Sequence, residues 1–219
     1  MKLVWDQTGE RLFETGVDHG VLFPMGADGA YEAGVAWNGL TAFNASPSGA
    51  EANPFYADNM KYLNIYSAEE FGFSLEAYTY PDEWEACDGS ESPVEGVSLG
   101  QQPRKAFGFS CRTLVGNDIE GQNHGYKLHL IYNAMASPSE RSYATVNESP
   151  EAVTLSWECT TTPVAVTGHK PTAHIVIDST KVDAVKLAAF EAMLYGSDDG
   201  SDNAKLPSPD EVIAFFKNN

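Results

Sequence analysis

The chain has 219 residues, 42% of them hydrophobic and 11% aromatic, which is enough to build a substantial core and excludes a disordered composition. Its 31 acidic and 13 basic residues give a formal net charge of −18, a surface that repels phosphate backbones and disfavours sequence-specific DNA binding. No window approaches roughly 18 consecutive apolar residues, and the opening MKLVWDQTGERLF lacks the apolar run of a secretory signal. No membrane association is therefore expected, and the default compartment is the cytoplasm.

Length and pattern fit one domain over residues 1–219. Residues 34–45, GVAWNGLTAFNA, read as a strand that runs into an SPSG turn. Residues 59–66 alternate, with Met60, Tyr62, Asn64 and Tyr66 on one side and Lys61, Leu63 and Ile65 on the other. Residues 71–80 place Phe71, Phe73, Leu75, Ala77 and Thr79 on one face and Ser74, Glu76, Tyr78 and Tyr80 on the other. Between these two strands, Ser67 and Glu70 have capping-box spacing, which predicts one helical turn. Pro81 followed by two acids predicts a second short turn over 81–89.

A long loop is expected at 88–104 and another at 116–125. Strands are expected at 106–115, 125–134, 152–161 and 172–180, all rich in β-branched and aromatic residues. A helix near 181–195 has Thr180 and Asp183 at its start. Val182, Val185, Ala189 and Phe190 or Leu194 form its buried face, and Gly196 follows its end. A second helix, 209–217, has Ser208 as N-cap, Pro209 in its first turn and Glu211 completing a capping box. The loop SDDGSDNAKLPS joins the two helices. The fold class is mainly β and antiparallel, with one or two peripheral helices.

No phosphate-binding, dinucleotide, nucleophile-elbow or zinc-protease spacing occurs. DDGSDN resembles a calcium loop in composition only. Cys87, Cys111 and Cys159 are odd in number and widely spaced, so a disulfide framework is not expected. The stretch CRTLVGNDIEGQNHGYKLH, residues 111–129, gathers a thiol, two carboxylates and two imidazoles. His124 and His129 are five apart, an odd offset that sends strand side chains to opposite faces. Cys111 alternates with Phe107, Phe109, Thr113 and Val115, as a packed small hydrophobe would. His129 shares its face with Lys127, Ile131 and Asn133, where a histidine needs no special role.

The segment GNDIEGQNHG has turn chemistry but exceeds the usual hairpin loop of about two to five residues. A solvated tip and a partner-contact loop both fit it. His19, His169 and His174 have no evident carboxylate partner. Asp6, Glu14 and Asp18 read as acids of a polar turn, with an acid/base pair as the alternative. Trp5, Trp37, Trp84 and Trp157 read as core side chains, with a sugar-binding surface as the alternative. No catalytic, cofactor-binding or metal-binding residues are assigned, and the chain is not expected to be an enzyme.

Several collinear blocks resemble the major tail proteins, or tail tube proteins, of long-tailed siphovirus-type phages and prophages of Gram-positive bacteria. They include WDQTGERLFETGVDHGVLFP (5–24), GVAWNGLTAFNASPSGAE (34–51), YADNMKYLNIYSAEEFGFSLEAYTYPDEWEACDGS (56–90) and GQQPRKAFGFSCRTLVGNDIEG (100–121). HGYKLHLIYNA (124–134), SPSERSYATVNESPEA (137–152) and LPSPDEVI (206–213) continue the series. The resemblance implies two packed antiparallel sheets, in a sandwich or barrel-like arrangement, with a flanking helix.

It also implies self-assembly into rings, typically of six subunits, stacked into a tube in the virion tail and assembled in the host cytoplasm. The tube would surround a tape-measure protein and later pass double-stranded DNA without gripping it. A tail terminator and a distal tail protein would lie at its two ends. Glu76 and Glu158, on polar strand faces, are then candidates for the lumen. Asn117, Asp118, Glu120, Gln122, Asn123 and His124 are candidates for ring stacking, in the loop 116–125. A tube of a contractile tail or secretion device, a monomeric carbohydrate-binding sandwich and a carboxylate-pair hydrolase are the alternatives.

Overall fold

The computed structural model describes residues 2–145, 152–197, 200 and 202–217. The first strands are β1 (Phe13–Pro24), β2 (Val35–Trp37), β3 (Leu40–Gly49), β4 (Ala52–Ala57), β5 (Met60–Tyr66) and β6 (Glu69–Ala77). A 3₁₀ turn at Asp82–Trp84 leads into the short helix α1 (Glu85–Asp88). Then come β7 (Glu91–Val94), β8 (Val97–Leu99), β9 (Phe107–Asn117), β10 (Gly121–Ala136), β11 (Leu155–Thr161) and β12 (His174–Asp178). Helices α2 (Ala184–Tyr195) and α3 (Pro209–Lys217) follow. The fold is mainly β, and every strand pair is antiparallel.

Strand β10 joins two sheets. From Lys127 to Ile131 it pairs with β9 on one side and β12 on the other. From Ala134 to Ala136 it pairs with β11 instead. The exchange falls at a bulge where Asn133 adopts φ +47. The backbone groups released there are taken up at once. Asn133 N–H donates to the Tyr31 hydroxyl (2.8 Å), and its carbonyl accepts from Thr162 N–H (3.0 Å). One sheet therefore runs β2-β1-β9-β10-β12 and the other β3-β6-β11-β10, and they close into no barrel. A bulge bends a strand and raises its twist, which lets one strand serve two packed layers.

The inner faces of the two sheets enclose an aromatic core. Trp37, Trp84 and Trp157 meet with ring centroids 4.6 to 5.5 Å apart, and Phe73, Phe107 and Phe109 pack around them. The Trp37 indole N–H donates to the Thr79 carbonyl at 2.8 Å. The turn 82–84 and α1 plug one end of this core, because Trp84 and Cys87 are fully buried. The period-2 alternation of β6 accounts for the layer: Phe73, Leu75 and Ala77 are all fully buried.

A second core covers the opposite face of β1, β10 and β12. Val21, Phe23, Leu128, Leu130, Tyr132 and Ile177 meet Leu187, Phe190 and Leu194 of α2 and Val212 of α3. Asp183 caps α2 by accepting from the N–H groups of Val185 and Lys186. In α3 the capping box forms as expected: Glu211 Oε2 accepts from Ser208 N–H at 2.7 Å, and Ser208 Oγ accepts from Glu211 N–H at 3.3 Å.

Several expectations need correction. The opening 33 residues hold a twelve-residue strand, β1, which carries no simple alternation because it is buried on both faces at its end. Residues 34–45 are two strands broken at Gly39, and SPSG continues β3. Ser67–Glu70 is not helical, since Glu69 and Glu70 already pair with β3. The loop 88–104 contains the β7–β8 hairpin, and 116–125 is mostly strand around a turn at Asp118–Glu120. On α2, Val185 is 79% exposed and Ala189 is exposed, and Leu187 takes the buried position instead.

Truncation of Trp84 to Ala should remove the plug of the inner core. The expected loss is about 3–5 kcal/mol in chemical denaturation, with a smaller loss for Trp84→Phe. Equal stability of all three proteins would show that the indole does not hold the layers together.

Candidate functional site: an apolar arm and an acidic sheet face

Strands β4 and β5 form a hairpin that pairs with neither sheet. Its tip, Asp58–Asn59, has φ +51 and +62, the paired positive values of a two-residue primed turn. Its root is closed by Ala50 N–H to Ala68 O, Ser67 N–H to Glu51 O, and Glu51 N–H to Ser67 Oγ at 3.0 Å. Gly49 is required there. It adopts φ +82, and a Cβ would lie 2.1 Å from the Ala68 carbonyl oxygen.

Alternation along the arm puts Met60, Tyr62 and Tyr66 on one face and Leu63 and Ile65 on the other, with Phe55 paired to Leu63. All of them are exposed, Tyr62 to 70% and Ile65 to 55%. A two-stranded hairpin is marginal on its own in water, and one that is apolar on both faces has no solvated side. The sequence reading identified β5 and its alternation correctly. It missed the arm because exposure on both faces is invisible to a period-2 pattern.

The second feature is the outer face of β3, β6 and β11. Register places Asn44 beside Ser74, Ser46 beside Gly72 and Ser48 beside Glu70, with Ser156 opposite Glu76 and Glu158 opposite Ser74. Glu76 and Glu158 thus stand on one face of one sheet. With Glu70 they give it three carboxylates among small polar side chains, and no Lys or Arg shares those register positions. Glu158 is exposed and Glu76 half-buried. Strand β3, LTAFNASPSG, is an edge of this sheet and carries no charged residue, so only Pro47 blunts it against pairing with another strand.

The residues of the β9–β10 turn are engaged within the chain. Asn117 is buried, and its Oδ1 accepts from the N–H groups of Ile119 (3.0 Å) and Glu120 (2.6 Å). Asp118 Oδ1 accepts from Gly9 N–H at 2.9 Å, which ties the N-terminal segment to the turn. His124 Nδ1 lies 2.6 Å from Glu120 Oε2. Gln122 and Asn123 are exposed, as is the side chain of Ile119. The turn is therefore an anchor for residues 9–11 through Asn117 and Asp118, while Gln122 and Asn123 face solvent.

The candidate chemical groups separate likewise. Cys87, Cys111 and Cys159 are buried, and burial pushes the Cys87 thiol up to about 12 and the other two higher still. Glu14 and Asp18 lie on β1, not in a turn, and each meets a cation. Glu14 pairs with Lys127, and Asp18 binds Arg112 through Oδ1 (2.9 Å) and Oδ2 (3.2 Å). Burial pushes the Asp18 carboxyl up, but the Arg112 guanidinium outweighs it and holds it below the usual range. Trp37, Trp84 and Trp157 are core residues, so only Trp5, 74% exposed, is free to meet a sugar. Among the described residues no group of three or more His, Cys, Asp or Glu could hold a metal ion. Of the DDGSDN segment, Asp198, Asp199 and Ser201 lie outside the described residues.

His129 departs most from expectation. It faces inward, where its Nδ1 lies 3.1 Å from His174 Nε2 and its Nε2 lies 2.9 Å from Thr113 Oγ1. The two imidazoles stack 5.3 Å apart at 9°. The pairing of β10 with β12, 45 residues away, brings them together, and no local sequence signal marks it.

No protein-family profile matches the chain, and no curated protein matches it. Among solved structures it is similar to a chain of the anti-feeding prophage baseplate, determined by cryo-EM with 6-fold symmetrisation. The match covers 83% of this chain and all of the other at 8% identity, with a TM-score of 0.35. A TM-score that low assigns neither fold nor role.

Burial holds His174 down to about 4, and the neighbouring His129 adds to this. The unfolded chain therefore takes up protons first as pH falls below the ordinary imidazole value of about 6.5. Folding stability is full above that pH and is lost as pH falls toward the folded-state value. His174→Phe should flatten this part of the denaturation profile by on the order of 2 kcal/mol after allowance for partial exposure. An unchanged profile would show that the ring is not held neutral.

Proposed function

We propose that the chain is a self-assembling structural subunit, of the kind that builds the tail tube of a long-tailed phage or prophage. The observation that carries this reading is the β4–β5 arm, whose large apolar side chains are exposed on both faces. Monomeric proteins rarely expose such a surface, and a hairpin of this kind gains stability only by docking against another surface. The collinear sequence blocks point to the same class of protein. The uncharged edge β3 supplies a second surface suited to a neighbouring copy.

In this reading, identical subunits join into rings, six to a ring as the resemblance of the sequence blocks implies. The arms reach from one ring to the next. Arm and receiving surface differ, so the contact is head-to-tail and propagates instead of closing on itself. The face that carries Glu70, Glu76 and Glu158 lines the channel. A wall without Lys or Arg offers no counterion-release attraction to double-stranded DNA, which then moves through without being held. The tape-measure protein occupies the channel during assembly, and a tail terminator and a distal tail protein meet the two ends. No catalytic step belongs to this role.

The arm variant Phe55→Ser/Tyr62→Ser/Ile65→Ser tests the reading. These side chains pack against neither core, so the monomer should keep its stability within about 1 kcal/mol. Concentrated wild-type protein should form tubes with an open channel in negative stain, and the variant should not. Tubes of normal length from the variant would contradict the arm's role. Separately, Glu76→Lys/Glu158→Lys should leave tube formation intact but make the assembled tubes retain DNA in a salt-dependent way. Equal retention by both tubes would place these carboxylates outside the channel.

A further inference from the structure

The His129–His174 pair sits where the arm leaves the body. His174 stacks on Phe71 at 4.4 Å and 22°, and Phe43 lies 5.3 Å from His129. Phe71 belongs to β6, three residues after the arm root at Ala68, and Phe43 belongs to β3, which enters the arm. The imidazoles thus brace the two strands that carry the arm. Beside them is a cavity of about 780 Å³, lined by His174 and Phe71 and by Tyr66, Ser67 and Ala68 of the arm root.

The hydrogen bond between the rings needs one nitrogen with a proton and one without. One added proton leaves that bond in place. A second puts hydrogens on both facing nitrogens, so the bond is lost and two parallel cations lie 5.3 Å apart. The surroundings do little to offset this. Glu14 of β1 acts on His129 from one side and Lys127 of β10 opposes it, while β3, β6 and β9 contribute only Phe43, Phe71 and Thr113 at the rings. The cavity lining carries one acid, Glu69, and one base, Lys170. Burial is the main force that keeps both rings uncharged near neutral pH.

We propose that the His129–His174 pair is an acid-operated hinge of the arm. When both rings carry a proton, His174 leaves Phe71 for the adjoining cavity, β6 loses its brace at the arm root, and the arm no longer holds the angle that docking needs. The consequence for assembly rests on the arm being the contact between subunits; the loosening of the root does not.

Hydrogen exchange on the full chain tests the hinge directly. The amides of Ala50, Glu51 and Ser67 close the root. After correction for intrinsic exchange, their protection in the wild type should fall at least about tenfold from about pH 7 to about pH 5, and in His174→Phe it should stay constant. His129→Gln, which keeps a neutral polar side chain facing His174, should behave as His174→Phe does and serves if that variant does not fold. The sequence pI of about 4.4 brings non-specific association into nearby pH, and the variants share that background. Constant protection in the wild type, or an equal fall in the variants, overturns the hinge. Sedimentation of the same samples judges the arm separately. Taken on to about pH 4, where His174 reaches its folded-state value, acid should weaken wild-type self-association at least about twofold per contact and spare the variants. Absence of association at every pH, with the exchange response intact, overturns the arm-contact reading and leaves the hinge standing.

Discussion

A β-strand has two edges, yet β10 serves three partners by changing one of them at Asn133. The rest of the molecule depends on that exchange. Before it, β10 is an interior strand of a sheet covered on both sides, by aromatic residues within and by α2 and α3 without. After it, β10 is the first strand of a second sheet whose other face is solvated and acidic. The Tyr31 hydroxyl accepts from the Asn133 amide and the Thr162 N–H donates to the Asn133 carbonyl, so the backbone groups that the bulge frees are both paired. The same strand brings His129 to His174, so the layer split and the imidazole pair have one origin.

Much of this architecture was legible in the sequence because burial on one face imposes a period of two. The two faces of residues 71–77 and the packed position of Cys111 followed from alternation alone, and the α3 capping box followed from spacing. Past Ala77 the strand ends, so Thr79 is exposed and Tyr80 packs on the core, the reverse of their expected faces. Each structural departure has a physical source. The final residues of β1 are buried on both sides, which erases alternation. Gly39, at φ +78, breaks a strand that pattern reads as continuous. The polar turn at 117–120 is built from within: Asn117 and Asp118 hydrogen-bond to the turn itself and to Gly9, while Glu120, Gln122 and Asn123 stay exposed.

The arm shows the opposite limit. Its alternation was read correctly, yet alternation says only that two faces exist. Whether either is covered depends on contacts distant in sequence, and here both are open. The β3 edge and the acidic outer face are likewise products of sheet order, which a sequence does not display. Charge also needed the fold to acquire meaning. A net charge of −18 is compatible with many roles, whereas register places Glu70, Glu76 and Glu158 on one face without a basic neighbour.

These features describe a well-packed body with unfinished surfaces: an exposed apolar arm, an open edge and an acidic sheet face, which the proposed assembly would complete. The most direct measurement is a cryo-EM reconstruction of the protein assembled at high concentration. The account predicts a tube in which Phe55, Tyr62 and Ile65 are buried against the next ring and the face with Glu76 and Glu158 lines the channel. An assembly that leaves the arm in solvent, or turns that sheet face outward, would contradict it.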